Sequence, residues 1–153
     1  MNIIAIDPGM SGGIAWRING CYGAYPMPVT TPEIAAGLSI IAPANTRVYI
    51  EKVGGVHGSD PKALMRLKGV LSIRQQFGEL RGICIALGLS IEEVTPQKWM
   101  NKVCPGHPTS ASGKLKNYIK GKVQERYPMV NPTLKTADAL GILWYAETLG
   151  EGA

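Results

Sequence analysis

The stretch NIIAIDPGMSGGIAW, Asn2 to Trp16, constrains the fold more than any other part of the chain. Ile3 to Ile6 is a continuous, β-branched apolar run, which reads as a buried strand. It stops at Asp7, turns through Pro8 and Gly9, and re-enters a second apolar run that ends at Trp16. Two strands joined so closely must lie side by side. A carboxylate at the tip of a buried strand is costly to remove from water, so its placement calls for a chemical reason.

The elements downstream repeat this logic. Residues 2–7, 12–18 and 20–25 read as a meander of three strands, the last two joined across the tight Asn19-Gly20 turn. The segment TTPEIAAGLSIIA starts a helix with a Thr cap, an early Pro and an acid in the first turn. TRVYIEKV (46–53) is a fourth strand, and it too is apolar before delivering a carboxylate, Glu51.

A long helix is predicted from about Asp60 to Leu87. One stripe of it (Ala63, Leu67, Val70, Ile73, Phe77, Leu80, Cys84, Leu87) can cover a sheet. A second stripe (Leu64, Leu71, Gly78, Ile85) is available to a neighbouring helix or a partner chain. LSIEEVT (89–95) is a fifth strand, followed by the short helix PQKWMNKV, a basic helix over 114–126, and a final helix within PTLKTADALGILWYAETLG. The pattern βββαβαβα, with no repeat or linker, predicts a single α/β domain over 1–153: a mixed five-stranded sheet flanked by helices.

Composition narrows the function classes. Of 153 residues, 45% are apolar and 18% charged, as in a globular protein. The longest apolar run is far too short for a membrane span, and Met1 leads straight into the first strand, so a cytoplasmic setting is expected. Cys21, Cys84 and Cys104 form no C-x-x-C pair, which argues against a disulfide framework. Cys104 and His107 in CPGH lack the further ligands a zinc site needs, and His57 and His107 read as loop residues. Trp16, Tyr22 and Trp99 read as core or sheet packing.

The net charge of +5 is unevenly spread. Lys98, Lys102, Lys114, Lys116, Lys120, Lys122 and Arg126 face a single acid, Glu125, between residues 98 and 126. Such a segment is either a solvated helix face or a surface that contacts nucleic-acid phosphates.

Asp7, Glu51 and Asp138 share one feature: each interrupts an apolar element. If the first and fourth strands are neighbours, their carboxylates lie at one sheet edge, and a helix across that edge brings Asp138 to them. Clustered carboxylates repel one another unless a cation compensates, and oxygen donors suit Mg²⁺ or Mn²⁺. Two such ions serve phosphodiester cleavage. Each residue alone has an ordinary explanation as a turn, strand-end or near-cap residue; the conjunction with the strand order and the basic segment favours the metal.

The segments IIAIDPGMSGGIAW, VYIEKV, FGELRGICIALGLSIEEVTPQKWMNKV and ADALGIL together resemble the RuvC-type Holliday junction resolvases. The D-P-G-x-S-G-x-x-A-W stretch and Val94-x-Pro96-x-x-Trp99 are the more specific parts, and they are most similar to the branch of phage and plant chloroplast resolvases. The resemblance covers nearly the whole chain. It implies an RNase H-like fold and a metal-dependent endodeoxyribonuclease that cuts four-way DNA junctions symmetrically as a homodimer. It also implies Asp7, Glu51 and Asp138 as metal ligands. The basic segment from Lys98 to Lys122 is then the surface expected to contact the DNA.

The chain departs from that pattern at one place. Resolvases of this type commonly carry an acid or histidine about one turn before the last aspartate, where this chain has Lys135. On a helix, Lys135 would share a face with Asp138 and pair with it or contact the scissile phosphate; the alternative is that it extends to solvent and merely begins the helix. Glu147 is no substitute, lying roughly 13 Å further along a helix at 1.5 Å per residue. A nuclease for RNA or hybrids, or a junction-binding protein without cleavage activity, are the alternative readings. A P-loop is excluded by spacing, and the chain is too short for a two-domain actin-like ATPase.

Overall fold

In the computed structural model, residues 1–54 and 61–150 are described, and for 61–66 the helical backbone alone. His57 and the side chains of Ala63 and Leu64 lie outside the described residues. The strands are β1 (Asn2–Asp7), β2 (Gly13–Ile18), β3 (Cys21–Pro26), β4 (Thr46–Glu51) and β5 (Ser90–Val94). The helices are α1 (Thr31–Ile41), α2 (Pro61–Ala86), α3 (Pro96–Val103), α4 (Leu115–Arg126) and α5 (Ala137–Gly150).

The sheet order is β3-β2-β1-β4-β5. The meander pairs antiparallel, with Asn19 and Gly20 both at positive φ, as a two-residue hairpin turn requires. The β1–β4 and β4–β5 pairs are parallel, which makes the sheet mixed, as the sequence predicts. Parallel neighbours need a crossover between them. α1 supplies the first, held at its start by a capping box in which Thr30 and Glu33 bond each other's backbone N–H. α2 supplies the second.

Strand alternation divides the core into two layers. Ile3, Ala5, Ala15 and Tyr49 face one side and pack with α3, α4 and α5. Ile4, Ile6, Ile14, Val48 and Ile50 face the other and pack with Ile34 and Leu38 of α1 and Leu80 and Cys84 of α2. The parity places the functional acids: Asp7 follows Ile3 and Ala5, and Glu51 follows Tyr49, so both belong to the α5 side.

Two sequence expectations shift. The final helix begins only at Ala137, five residues into the 132–150 segment, because Thr133 and Thr136 cap each other in the turn before it. Among the described residues, the predicted sheet-facing stripe is buried only at Leu80 and Cys84, while Val70, Ile73 and Phe77 are half-buried and Leu67 and Leu87, the latter just beyond α2, are exposed. The reason is length. A 26-residue helix runs about 39 Å, whereas a six-residue strand spans about 20 Å. The cysteines are free, as expected, with Cys84 and Cys104 in the core. Among the described residues no helix is long and apolar enough to cross a membrane.

Candidate metal centre

The site is built on the ends of β1 and β4. Their parallel register pairs Ile6 with Ile50, so the next residue of each strand, Asp7 and Glu51, ends its strand at the same level. The turn after Asp7 folds back tightly. A Cβ at Gly12 would overlap the Asp7 carbonyl, so this position admits no side chain. A Cβ at Gly13 would stand 2.7 Å from the Lys135 carbonyl, and its absence lets the turn before α5 rest on β2. That contact fixes where α5 starts and brings Asp138, its second residue, over the strand ends.

All three carboxyls are held above their ordinary range. Asp7 is only 8% exposed, and burial is the main cause of its raised pKa; the charges of Asp138 and Glu51 add to it and Lys116 opposes it. Glu51 is pushed up to about 7, again chiefly by burial, against the indole N–H of Trp99, which donates to its Oε2 at 2.7 Å. Asp138 is raised by burial and pulled back by Lys116, whose Nζ lies 3.5 Å from its Oδ2. Its other oxygen, Oδ1, is buried without a hydrogen-bond partner. An unpaired buried carboxylate oxygen is expensive, and a cation is the natural compensation.

The donor set fits a divalent ion. It is all oxygen, all carboxylate and mutually repulsive, which suits a hard ion such as Mg²⁺ or Mn²⁺. Among the described residues, no group of three or more acidic, histidine or cysteine side chains stands close enough together to hold a metal ion in the present arrangement. The Lys116 ammonium instead supplies the positive charge, lowering all three carboxyls.

The remaining expectations divide. Lys135 lies in the turn before α5 with its side chain exposed, and it is Lys116, from α4, that pairs with Asp138. The expected Lys135–Asp138 pairing is thus corrected: the helix on which the two would share a face begins only at Ala137. Lys98 and Lys102 lie exposed on α3, with the Lys98 ammonium 5.8 Å from the centre of the Tyr145 ring. Lys114 sits exposed at the N-cap of α4, and Lys120 is half-buried. Lys122 is engaged by Glu125 at 3.1 Å. His107 lies in a loop within 3.3 Å of Asn101, away from any zinc-like set.

Glu147 belongs to a separate buried network. It accepts from Arg17 at 3.2 Å, Tyr22 at 2.8 Å, Arg126 at 3.4 Å and Tyr127 at 2.7 Å, which ties α5 to β2, β3 and the end of α4. Two roles were not read from the sequence. The counter-charge of Lys116 was hidden in a run of lysines of equal appearance. The hydrogen bond of Trp99 was hidden by its apolar surroundings, although the spacing Val94-x-Pro96-x-x-Trp99 marked the residue.

No protein-family model and no curated protein matches the sequence. Solved structures do match the fold. The Thermus thermophilus RuvC structure superimposes with a TM-score of 0.61 at 15% identity, over 98% of this chain and 97% of that one. T. thermophilus RuvC in complex with Holliday junction substrate gives 0.61 at 13% identity, over 100% of this chain and 96% of that one. The mixed sheet flanked by helices described above is therefore the RuvC, RNase H-like fold.

Proposed function

We propose that this chain, as one nuclease domain, is a structure-selective endodeoxyribonuclease that resolves four-way DNA junctions in recombination and repair. The observation that carries the reading is the placement of Asp7 and Glu51 at the level ends of parallel β1 and β4, with Asp138 of α5 beside them. The fold it shares with RuvC, one of whose structures holds a Holliday junction substrate, supports the choice of DNA. The D-P-G-x-S-G-x-x-A-W stretch supports placing it nearest the phage and chloroplast resolvases. A cytoplasmic site of action fits such a substrate.

Asp7, Glu51 and Asp138 would hold Mg²⁺ or Mn²⁺. When bound, such an ion supplies an activated water and charge stabilisation for phosphodiester hydrolysis. The protein's own part is positional and electrostatic. The strands act as rigid posts, so the carboxylates need little reorganisation. Burial keeps water from screening them. Lys116, half exposed, balances Asp138, and its ammonium would be available to a DNA phosphate where Asp138 instead held a divalent ion. Lys135, exposed in the turn before α5, is left for a phosphate contact. Lys98, Lys102, Lys114, Lys120 and Lys122 extend the basic surface on α3 and α4 and contribute salt-dependent affinity.

A junction needs matching cuts in two strands, which a two-fold homodimer provides. The exposed Leu71 and Ile85 of α2 are the surface we assign to that contact. The test is incubation of the purified protein with labelled four-way junction, linear duplex and RNA–DNA hybrid, each with Mg²⁺ or with EDTA. Paired, symmetric, Mg²⁺-dependent nicks in the junction alone are expected. Cleavage of the hybrid instead points to a ribonuclease, and junction binding without cleavage points to a binding protein.

A further inference from the structure

Trp99 touches both halves of the candidate metal centre. It is the fourth residue of α3, a helix fixed in place by Pro96 and by the Thr95 side chain, which accepts from the Lys98 N–H. α3 follows β5 directly, and β5 pairs Val94 with Glu51 of β4. The Lys52 N–H donating to the Val94 carbonyl at 2.8 Å closes that strand end. The indole therefore starts from a backbone tied to the strand that carries Glu51.

Its two edges then do different things. The Nε1–H donates to Glu51 Oε2 at 2.7 Å. The six-membered ring lies against Gly141 of α5, where a Cβ would stand 2.5 Å from Cζ3. Gly141 is one helical turn after Asp138, on the same side of the helix. The side chain is only 1% exposed and packed on all sides, so it has no room to rotate. A rigid, planar group thus spans the gap between the element that carries Glu51 and the helix that carries Asp138. A phenylalanine would keep an aromatic ring in the core, but it is smaller than the indole and has no N–H, so Glu51 would lose its donor.

We propose that Trp99 is a positioning residue for divalent-cation binding: its N–H fixes one Glu51 oxygen, and its ring, seated on Gly141, sets the spacing between Glu51 and Asp138. The inference deepens the proposed function and rests on its metal-centre reading. Groups that orient a ligand in this way typically change metal affinity 10- to 100-fold when removed.

The test is Mn²⁺ binding by calorimetry on the full chain, wild type against Trp99→Phe. Thermal melts of both in EDTA establish that the variant is folded. A loss of about tenfold or more in Mn²⁺ affinity is expected, with junction binding in EDTA within twofold of wild type. A second measurement needs no folded variant. In the wild-type protein, the indole N–H of Trp99 gives a proton–nitrogen NMR signal that should be shifted downfield, exchange slowly with solvent, and move on titration with Mg²⁺. The Trp16 and Trp144 signals should move little.

A Trp99→Phe protein that melts like wild type and binds Mn²⁺ within twofold of it overturns the inference and leaves the metal centre standing. An indole signal that is indifferent to Mg²⁺, in a wild-type protein that does bind the ion, overturns it equally. A wild type that binds neither Mn²⁺ nor Mg²⁺ defeats the metal-centre reading itself.

Discussion

Helices α5 and α2 cover opposite faces of one sheet and are built on opposite plans. α5 has 14 residues, nine of them buried, including Ala137, Ala139, Gly141 and Ala146. Those small residues let it sit close to Ala5 and Ala15 of the strands beneath. α2 is nearly twice as long, yet among its described side chains only Leu80 and Cys84 are buried, with Leu71 and Ile85 left 56% and 65% exposed. The difference matches the two roles proposed for these helices. A helix that must hold Asp138 against two strand ends has to be immobile, and close packing supplies that. A helix that runs past the sheet leaves Leu71 and Ile85 exposed instead, the residues we assign to the contact between protomers.

If α5 serves chemistry and α2 serves assembly, variants on the two sides should fail in different ways. The largest effect belongs to the α5 side. Asp7→Asn should reduce junction cleavage in Mg²⁺ by at least about 10³-fold, while junction binding changes by less than about threefold, because affinity comes from phosphate contacts. Single-turnover cleavage and gel-shift assays read the two separately. Comparable losses in both would erase the division between chemistry and binding.

The next effect belongs to the α2 side. Leu71→Glu places a charge in the proposed interface and should weaken self-association by about a hundredfold or more, with little change in the melting of the protomer. Sedimentation velocity over a concentration series checks this. A wild type that is monomeric both alone and bound to junction would strip α2 of its assigned role.

The carboxyls should also make stability depend on pH. Glu51, raised from about 4.5 to about 7, keeps its proton in the folded state over a range where the unfolded chain has lost it. The folded state thus binds more protons between these values, and stability falls as pH rises through that window. Asp7 and Asp138, also raised, act in the same direction. In EDTA the protein should lose on the order of 1–3 kcal/mol between pH 4.5 and 7.5. Mg²⁺ should restore stability more at pH 7.5 than at pH 5.5. Glu51→Gln should flatten the EDTA profile; a profile as steep as that of wild type would move the titration elsewhere.

The smallest effects give the sharpest contrast, because the same substitution should change sign. Gly141→Ala drives a methyl into the packed Trp99 ring and should destabilise by about 1–3 kcal/mol. Gly78→Ala on α2 meets nothing within 4 Å and should stabilise the monomer by about 0.5–1 kcal/mol through helix propensity. Urea unfolding of both variants is the measurement. Destabilisation by Gly78→Ala, removed on dilution to monomer, would place that glycine at a close helix contact between protomers.

The local signals in the sequence were strong where one principle acted alone. Alternation and turn chemistry marked five strands within a residue or two of their ends, and Thr-x-Pro-Glu marked the start of α1. The mixed sheet and the three interrupting carboxylates followed from patterns that neighbouring residues determine. Lys135 shows where this stops. Three residues before Asp138, it looked like a helical neighbour, but the Thr133–Thr136 cap delays the helix and the side chain ends in solvent.

Which cation meets Asp138 was decided by the packing of α4 on α5, since Lys116 is 22 positions away in sequence and its neighbours look the same. The hydrogen bond from Trp99 to Glu51 likewise spans 48 positions. Sequence fixes what depends on adjacency along the chain: strand parity, caps, turns and charge. Distances between side chains on separate elements depend on how those elements close on one another, and only the tertiary structure decides that.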